Sequence, residues 1–230
     1  MTRPRGPQPR YPHEALAVVL QVREERLSVL LWRRAEEPYP GAWALPGGLL
    51  DAGERLGASV ARHLATKVDV AELAHLEQLE TRSDPARDPR ERRLATAYLG
   101  LIPVGQSVSL PQDTAWHAVD RLPAMAFDHG SIVASGRDRL RAKLSYTTIG
   151  LALAPPQFTI AHLREVYAAA LGYDVSATNL QRVLLRRGAV APTEGQRRPG
   201  PSGGRPARLF RFVDPVVQVT DPFATLRPPR

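Results

Sequence analysis

Two apolar segments near the start of the chain constrain the fold more than any other feature. ALAVVLQV (15–22) and LSVLLWRR (27–34) are rich in leucine and valine and are separated only by a short charged linker. Short, continuous apolar runs that are bounded by a turn predict strands buried on both faces. We therefore predict a central β-hairpin with the REE tripeptide (23–25) as its turn.

The next segments alternate between strand and helix patterns. Segment 35–48 is predicted as a loop because it is rich in Pro, Tyr and Gly. Further strands are predicted at 75–82 and 94–103, a short strand and turn at 115–123, and helices at about 54–67 and at 131–146. Strands mixed with two helices predict an α/β (α+β) sandwich that ends near residue 145.

The second part of the chain has a different pattern. Segments 158–172 and 174–188 each begin at a potential N-cap, Thr159 or Ser176, carry one apolar face and end at a glycine. Two short helices joined by a tight link predict a helix-turn-helix. Segment 189–212 has apolar ends around a tip rich in Gly, Pro and Arg, which predicts a β-hairpin wing. The alternative is a helical hairpin that serves only packing or dimerisation.

The positive charge of the chain is concentrated in this second part. The whole chain has a net charge of +8, and residues 144–230 contain 11 basic and 5 acidic side chains. Nearly all of the basic residues are arginine, whose planar guanidinium suits phosphate recognition. The uneven distribution favours a nucleic-acid partner. The alternative is a set of solvated arginine-rich surfaces.

Composition excludes several other classes of protein. The chain has no cysteine, which excludes disulfides, thiolate metal sites and cysteine nucleophiles. Residues 1–13 lack the apolar stretch of a signal peptide, and no apolar run approaches the roughly 20 residues of a membrane span. We therefore expect a cytoplasmic protein without a membrane partner. Its predicted parts are a disordered tail (1–13), a first domain (14–145), a DNA-binding domain (146–213) and a C-terminal tail (214–230).

The segment from Trp43 to Val70 contains the most informative motif. It resembles the Nudix box, G-x5-E-x7-R-E-U-x-E-E-x-G-U with U apolar, a loop–helix–loop that binds diphosphate through divalent metal ions. Gly48, Glu54 and Arg62 match the glycine, the first glutamate and the arginine of the motif, and Leu64 and Val70 match two apolar positions. The alternative is a chance glycine turn before an amphipathic helix.

The departures from this motif concern the metal ligands. His63, Thr66 and Lys67 stand where the family has glutamates, and Asp69 replaces the late glycine. Those glutamates hold Mg²⁺ or Mn²⁺, which prefer oxygen ligands. A lysine ammonium about 4 Å from a divalent cation would cost roughly 8 kcal/mol at an effective dielectric constant of 20. The sequence therefore predicts a degenerate, catalytically inactive box with no metal site, in which Glu54 and Arg62 form an ion pair that holds the loop.

The remaining features of the box still suit a phosphate-containing ligand. The glycine turn and the helix N-terminus offer backbone N–H groups to phosphate. Trp43 is predicted to stack on a base, with a core tryptophan as the alternative. Arg87 lies in RDPR (87–90), which resembles a segment of Nudix proteins that handle ADP-ribose; the alternative is a solvated loop arginine. The predicted effector-binding residues are Arg33, Trp43, Gly47, Gly48, Glu54, Arg62 and Arg87. His129 is predicted to be a hydrogen-bonded structural residue.

Together, a degenerate Nudix domain, the AFDH segment (126–129), the helix-turn-helix and GRPARLFRF (204–212) resemble the Nudix-related transcriptional regulators of NAD metabolism, the NrtR type. The likeness covers residues 14–212. The resemblance implies a homodimeric repressor whose Nudix domains form the dimer and bind ADP-ribose or a related NAD-derived nucleotide, with no other cofactor. Effector binding would release a palindromic double-stranded DNA operator near genes of NAD biosynthesis or salvage, with helix 131–146 as the lever.

The candidate DNA contacts follow from the docking of such domains. The second helix of a helix-turn-helix enters the major groove, where its first residues meet base edges. Candidate base contacts are Thr178, Asn179, Gln181 and Arg182, and candidate wing contacts to phosphate or the minor groove are Arg197, Arg198, Arg205 and Arg208. Two alternatives remain open: an active Nudix hydrolase of ADP-ribose with an accessory C-terminal domain, and a nucleotide-binding module without affinity for DNA.

Overall fold

The computed structural model describes residues 10–197 and 206–221. The strands are β1 (His13–Arg23), β2 (Arg26–Arg33), β3 (Trp43–Ala44), β4 (Gly47–Leu49), β5 (His75–Arg82), β6 (Leu94–Leu101), β7 (Thr114–Ala118), β8 (Val190–Arg197) and β9 (Ala207–Phe212). The helices are α1 (Leu56–Val68), α2 (His129–Tyr146), α3 (Ile160–Leu171) and α4 (Ala177–Arg186), with one 3₁₀ turn at Ile149–Ala152.

Strand β1 is the centre of a mixed seven-stranded sheet. It pairs with β2 and β4 in the antiparallel sense and with β6 in the parallel sense, while β5 and β7 pair with β6 and β2. Residues 15–22 of β1 are all buried, which confirms the predicted buried hairpin. Glu24 and Glu25 form its turn with φ values of 47° and 60°, as tight antiparallel hairpins require.

Some predicted boundaries differ from those in the structure. The predicted loop 35–48 contains β3 and the beginning of β4, because short segments there pair with β2 and β1. Strand β6 ends at Leu101, two residues before the predicted end. The segment 115–123 forms the short strand β7 and a turn, as predicted. Short strands at a sheet edge carry too few alternating residues to be recognised from sequence.

The sheet separates two apolar layers. Val60, Leu64 and Val68 of α1 pack with Ala17 and Val19 of β1. The alternate side chains of β1 face the other layer, where Leu16, Val18 and Leu20 pack with Ile132 and Leu140 of α2. This alternation is the two-residue period of a strand covered on both faces. The predicted α/β (α+β) sandwich is confirmed.

The second part of the chain is a winged helix-turn-helix, as predicted. Thr159 Oγ1 accepts a hydrogen bond from the His162 N–H, and Ser176 Oγ accepts one from the Asn179 N–H, so both predicted caps are formed. Strands β8 and β9 pair as the wing. Phe158 adds a backbone bridge to Phe210, which extends the wing sheet to the start of α3.

The junction between the two parts is densely packed. Leu27 and Val29 of β2, Leu144 of α2, and Leu163 and Val166 of α3 belong to one apolar cluster. The predicted boundary near residue 145 falls at the end of α2, and the apolar core continues across it. A cavity of about 530 Å³ remains at the surface of this junction, between the β1–β2 turn, α2 and α3.

Both predicted tails are partly ordered. The first strand begins at His13, the last residue of the predicted disordered tail, and residues 1–9 lie outside the described part. At the other end, the backbone N–H of Gln218 donates to Thr148 Oγ1, and that of Thr220 donates to the Tyr146 carbonyl oxygen. The segment 217–221 therefore packs against the end of α2. No helix in the described ranges is long and apolar enough to cross a membrane.

Candidate functional site

The glycine turn before α1 is held close to its neighbours. Gly47 has a φ of 157°, and a Cβ atom there would lie 2.3 Å from the Ala15 carbonyl oxygen. A Cβ on Gly48 would lie 2.6 Å from Cε1 of His63. Both glycines allow β4 to lie against β1 and α1, which explains the glycine pair of the motif by packing.

Glu54 and Arg62 form the ion pair predicted from the sequence. Arg62 Nε and Nη2 donate to the two carboxylate oxygens of Glu54 at 2.8 and 2.7 Å, and Nη2 lies 3.1 Å from Asp51 Oδ2. The hydrogen bond from Arg62 lowers the pKa of Glu54 to about 2. The pair joins the loop to the middle of α1, so Glu54 has a structural partner on both of its oxygens.

Lys67 lies over the glycine turn. Its ammonium donates to the Gly47 carbonyl oxygen at 2.8 Å and lies 4.5 Å from the centre of the Trp32 ring. Burial lowers the pKa of Lys67, and the nearby Arg34 lowers it further. Asp69 ends α1 with a φ of 53°, so an aspartate adopts the left-handed conformation of the motif's late glycine.

His63 has also become a structural residue. It is buried, and Nε2 lies 3.0 Å from the Leu49 carbonyl oxygen. Burial lowers the pKa of His63, which favours the neutral imidazole.

These residues do not fit a divalent metal ion. Within residues 10–197 and 206–221, no group of three His, Cys, Asp or Glu side chains is arranged to hold one. Glu54 is engaged by Arg62 on both oxygens, and Lys67 brings a positive charge to the turn. Mg²⁺ needs several oxygen ligands at about 2.1 Å, and the box offers no such set.

Arg87 is buried in an ion triad. Its side chain is 1% exposed, with Nη1 3.2 Å from Glu14 Oε2 and Nη2 3.0 Å from Asp128 Oδ1. The alternative of a solvated loop arginine is therefore wrong, because the loop folds over the carboxylates of β1 and of the residue before α2. Its role in effector binding stays a prediction, and it links this region directly to the start of α2.

Next to this triad lies an aromatic cluster that the sequence analysis did not single out. The Phe127 ring lies 4.9 Å from Cζ of Arg34 and 5.9 Å from Cζ of Arg90, and its centre is 5.1 Å from that of Tyr39. Phe127 has a φ of 53°, which is unusual for a bulky residue. The sequence feature that could have identified Phe127 is its position in the AFDH segment, next to Asp128. Aromatic rings and guanidinium groups in contact suit the binding of a flat heteroaromatic ring.

Arg33 and Trp43 lie away from the box. They are paired across β2 and β3, so they share one face of the sheet, while the neighbouring Trp32 packs on the α1 face. Trp43 is partly buried on the α2 side, with Cζ of Arg33 5.2 Å from its ring centre and the His117 ring at 4.4 Å. The structure thus brings Gly47, Gly48, Glu54 and Arg62 together and separates Arg33 and Trp43 from them.

His129 is structural, as predicted. Its Nδ1 accepts a hydrogen bond from the Leu45 N–H at 3.0 Å in the buried core. Burial lowers the pKa of His129 to about 3, so the imidazole is neutral.

The start of α4 presents the candidate base contacts. Thr178, Asn179 and Arg182 are exposed, Gln181 is partly exposed, and Arg182 Nη2 donates to Asn179 Oδ1 at 2.9 Å. The opposite face of α4 buries Leu180 and Leu184. This strongly two-sided helix is therefore anchored by its apolar face and open at its polar face.

The candidate wing contacts are described in part. Arg208 is exposed on β9, and Arg197 is the last residue of β8. Arg198 and Arg205 lie outside the described residues. Arg211 on β9 and Arg186 on α4 are further exposed arginines that the sequence analysis did not select.

Comparison with known families gives two matches along the chain. The model of the NUDIX domain matches residues 11–135, and the model of the NrtR DNA-binding winged helix domain matches residues 150–212. The stretch between them contains the C-terminal half of α2 and the first turn that follows it.

Individual relatives agree with this arrangement. The chain is 29% identical over 213 residues to the "ADPR responsive transcriptional repressor NtrR" of Acinetobacter baylyi, covering 88% of this chain and 84% of the relative. It is also 29% identical over 137 residues to an "ADP-ribose pyrophosphatase" of Methanocaldococcus jannaschii, covering 58% of this chain and 77% of the relative.

Solved structures of Shewanella oneidensis NrtR match along nearly their whole length. The structure without DNA has a TM-score of 0.76 at 30% identity, with 88% of this chain and 94% of that chain covered. The complex with a 27mer DNA has a TM-score of 0.74 at 28% identity, covering 88% and 93%. The NUDIX domain of that protein complexed with ADP ribose has a TM-score of 0.52 at 30% identity, covering 61% and 99%. This chain belongs to the NUDIX-domain family, in the NrtR type that carries a C-terminal winged helix.

Proposed function

We propose that this protein is a transcriptional repressor that binds a DNA operator through its winged helix and releases it when its Nudix domain binds ADP-ribose. The domain division 14–145 and 146–213 assigns effector binding to the first part and DNA binding to the second. The Nudix part is a receptor and not a hydrolase, because its box offers an ammonium group where a metal cluster would be needed.

One structural connection carries this proposal. Asp128, the residue before α2, binds Arg87 in the predicted effector region. The other end of α2 carries Ser145, whose carbonyl oxygen accepts a hydrogen bond from Arg187 directly after α4. The same helix therefore contacts the effector region and the DNA-reading helix. A ligand shifts such an equilibrium only by the difference in its affinity for the two arrangements.

The finer parts of the proposal rest on family membership and symmetry. We propose that the Nudix domains form a homodimer, that the operator is a palindrome with half-sites separated by whole helical turns, and that it lies upstream of genes of NAD biosynthesis or salvage. Relatives described as responding to ADP-ribose and as bound to DNA support the proposed effector and the proposed DNA partner. Thr178, Asn179, Gln181 and Arg182 are the proposed base-reading residues.

The test is an equilibrium binding titration. A fluorescent duplex containing a palindrome from upstream of NAD-synthesis genes is bound to the full chain, and ADP-ribose is added while anisotropy is recorded. We expect release of the duplex, with no release by ribose 5-phosphate. Operator binding that persists at millimolar ADP-ribose would contradict the effector assignment. Turnover of ADP-ribose with Mn²⁺, abolished by Glu54→Gln, would instead establish the hydrolase alternative.

A further inference from the structure

We propose that Lys67 is a tethered cation for the effector: its ammonium binds the diphosphate directly, so that effector binding requires no divalent metal ion. This inference rests on the proposed function, since it assumes a diphosphate-containing ligand at the box. In this proposal, Lys67 does more than remove a metal ligand: it binds the effector.

The ammonium group of Lys67 is held in place and has N–H donors that no described residue uses. A lysine ammonium has three N–H donors, and one of them is used by the Gly47 carbonyl oxygen at 2.8 Å. The Trp32 ring, 4.5 Å away, supports the cation from another side. In the described part of the chain, Lys67 forms no ion pair with a carboxylate, whereas Lys143, the other lysine of the chain, is paired with Glu77. The ammonium of Lys67 is therefore held in place, but no carboxylate of the described residues pairs with it.

The surroundings favour an incoming anion. Burial lowers the pKa of Lys67, and Arg34 and Arg62 act in the same direction, while Glu14 and Glu36 only partly offset them. The ammonium is thus partly desolvated, and no carboxylate among the described residues lies within ion-pair distance of it. A diphosphate oxygen would supply the missing charge and form a charge-assisted hydrogen bond.

The position of Lys67 in the box selects the diphosphate as the group that it contacts. The ammonium lies over the glycine turn, at the box position where the family has a glutamate ligand for the metal that holds the diphosphate. A monovalent cation attached to α1 can take over part of that charge without any free ion. Because Arg62 occupies both oxygens of Glu54, that carboxylate is not available to a metal ion that would bridge to the ligand.

Calorimetric titration of the full chain with ADP-ribose tests the proposal. We expect unchanged affinity in EDTA and in millimolar Mg²⁺, and a loss of about 10- to 100-fold for Lys67→Gln, as expected for a charged hydrogen bond to phosphate. Lys67→Arg should recover most of this loss because it keeps the charge. Lys143→Gln is the matched control and should bind ADP-ribose as the wild type does.

A footprint of the wild-type protein gives a second measurement that needs no variant. The chain has only two lysines, so acetylation of each can be followed by peptide mass spectrometry. We expect ADP-ribose to protect Lys67 and to leave the acetylation rate of Lys143 unchanged.

The outcomes separate this inference from the proposed function. If ADP-ribose binds and Lys67→Gln binds it equally well, or if EDTA abolishes binding, the role of Lys67 is refuted while the effector assignment stands. If the wild-type protein does not bind ADP-ribose under any of these conditions, both are refuted.

Discussion

Arg187, the residue directly after α4, donates a hydrogen bond from Nη1 to the carbonyl oxygen of Ser145 in the last turn of α2, at 2.9 Å. Its Nη2 lies 3.1 Å from Asp221 Oδ2, and both side chains of that ion pair are largely buried. One guanidinium therefore joins the end of α4, the end of α2 and the C-terminal segment. A movement of α2 would change the position of α4 through this contact.

Replacing Arg187 should weaken the communication between the two parts. We expect Arg187→Gln to reduce the change in operator affinity on addition of ADP-ribose, because α4 is no longer tied to α2. The loss of hydrogen bonds from a charged donor should also lower the free energy of unfolding by about 1–3 kcal/mol. Anisotropy titrations and urea denaturation measure the two effects. The exposed neighbour Arg186, changed to Gln, should stay within about 0.5 kcal/mol of the wild-type stability; an equal loss in both variants would contradict the assignment.

Two exposed arginines should differ in what they contribute to DNA binding. Arg182, at the start of α4, should read a base, so Arg182→Ala should reduce the preference for the operator over random DNA by about 1–3 kcal/mol. Arg208, on the wing, should contact phosphate, so Arg208→Ala should weaken binding to all sequences and reduce the slope of log affinity against log salt by about 0.9 per protomer. Binding isotherms at several salt concentrations distinguish the two effects. An unchanged slope for Arg208→Ala would remove this residue from the interface.

The buried His129 should make the folded protein sensitive to acid. Burial lowers the pKa of His129 from 6.5 to about 3, so the unfolded chain binds a proton in a range where the folded chain does not. The contribution of neutral His129 to the free energy of unfolding is complete above about pH 6.5. It is lost as the pH falls towards 3, at up to about 1.4 kcal/mol per pH unit. His129→Asn can still accept from the Leu45 N–H but cannot titrate.

The measurement is urea denaturation between pH 7 and pH 5. The wild-type free energy of unfolding should fall more steeply than that of His129→Asn in this range. Burial also lowers the pKa values of His63 and His117, so both proteins retain a shared slope. If the free energy of unfolding falls equally with pH in the two proteins, His129 is not the source of the acid sensitivity.

Two glycines in α2 should respond in opposite directions to the same substitution. A Cβ on Gly136 would lie 2.7 Å from Cγ1 of Val18, which is fully buried, so Gly136→Ala should overpack the contact between α2 and β1. Overpacking costs about 1–3 kcal/mol, which outweighs the gain of up to about 1 kcal/mol from helix propensity. A Cβ on Gly130 would make only an ordinary contact, 3.7 Å from Cγ of Met125, so Gly130→Ala should be neutral or stabilising. Thermal unfolding of the two variants tests this prediction. Equal melting temperatures would refute the close approach of Gly136 to Val18.

Much of the fold was accessible from local patterns. The apolar runs of β1 and β2, the caps Thr159 and Ser176, and the loop-to-helix pair of Glu54 and Arg62 each depend on residues within about a dozen positions of one another. Such features can be predicted from the spacing of residues, because the residues that interact are close together along the chain.

Long-range partners were not accessible in the same way. Arg87 finds Asp128 and Glu14 at sequence separations of 41 and 73, so its burial could not be read from its own loop. Arg33 and Trp43 were predicted to bind the same effector as the glycine turn, and strand alternation places them on the face of the sheet opposite to α1. The contact of Gln218 with Thr148 depends on the chain returning to a segment 70 residues earlier.

The apolar cluster that runs from β2 through α2 into α3 has an evolutionary consequence. A winged helix transplanted from a distant relative would bring the wrong side chains against Leu27 and Val29, and the chimera would lose contacts that both halves need to fold. The two parts of the chain should therefore tolerate exchange poorly, whereas the exposed face of α4 takes no part in this cluster and can change without disturbing it.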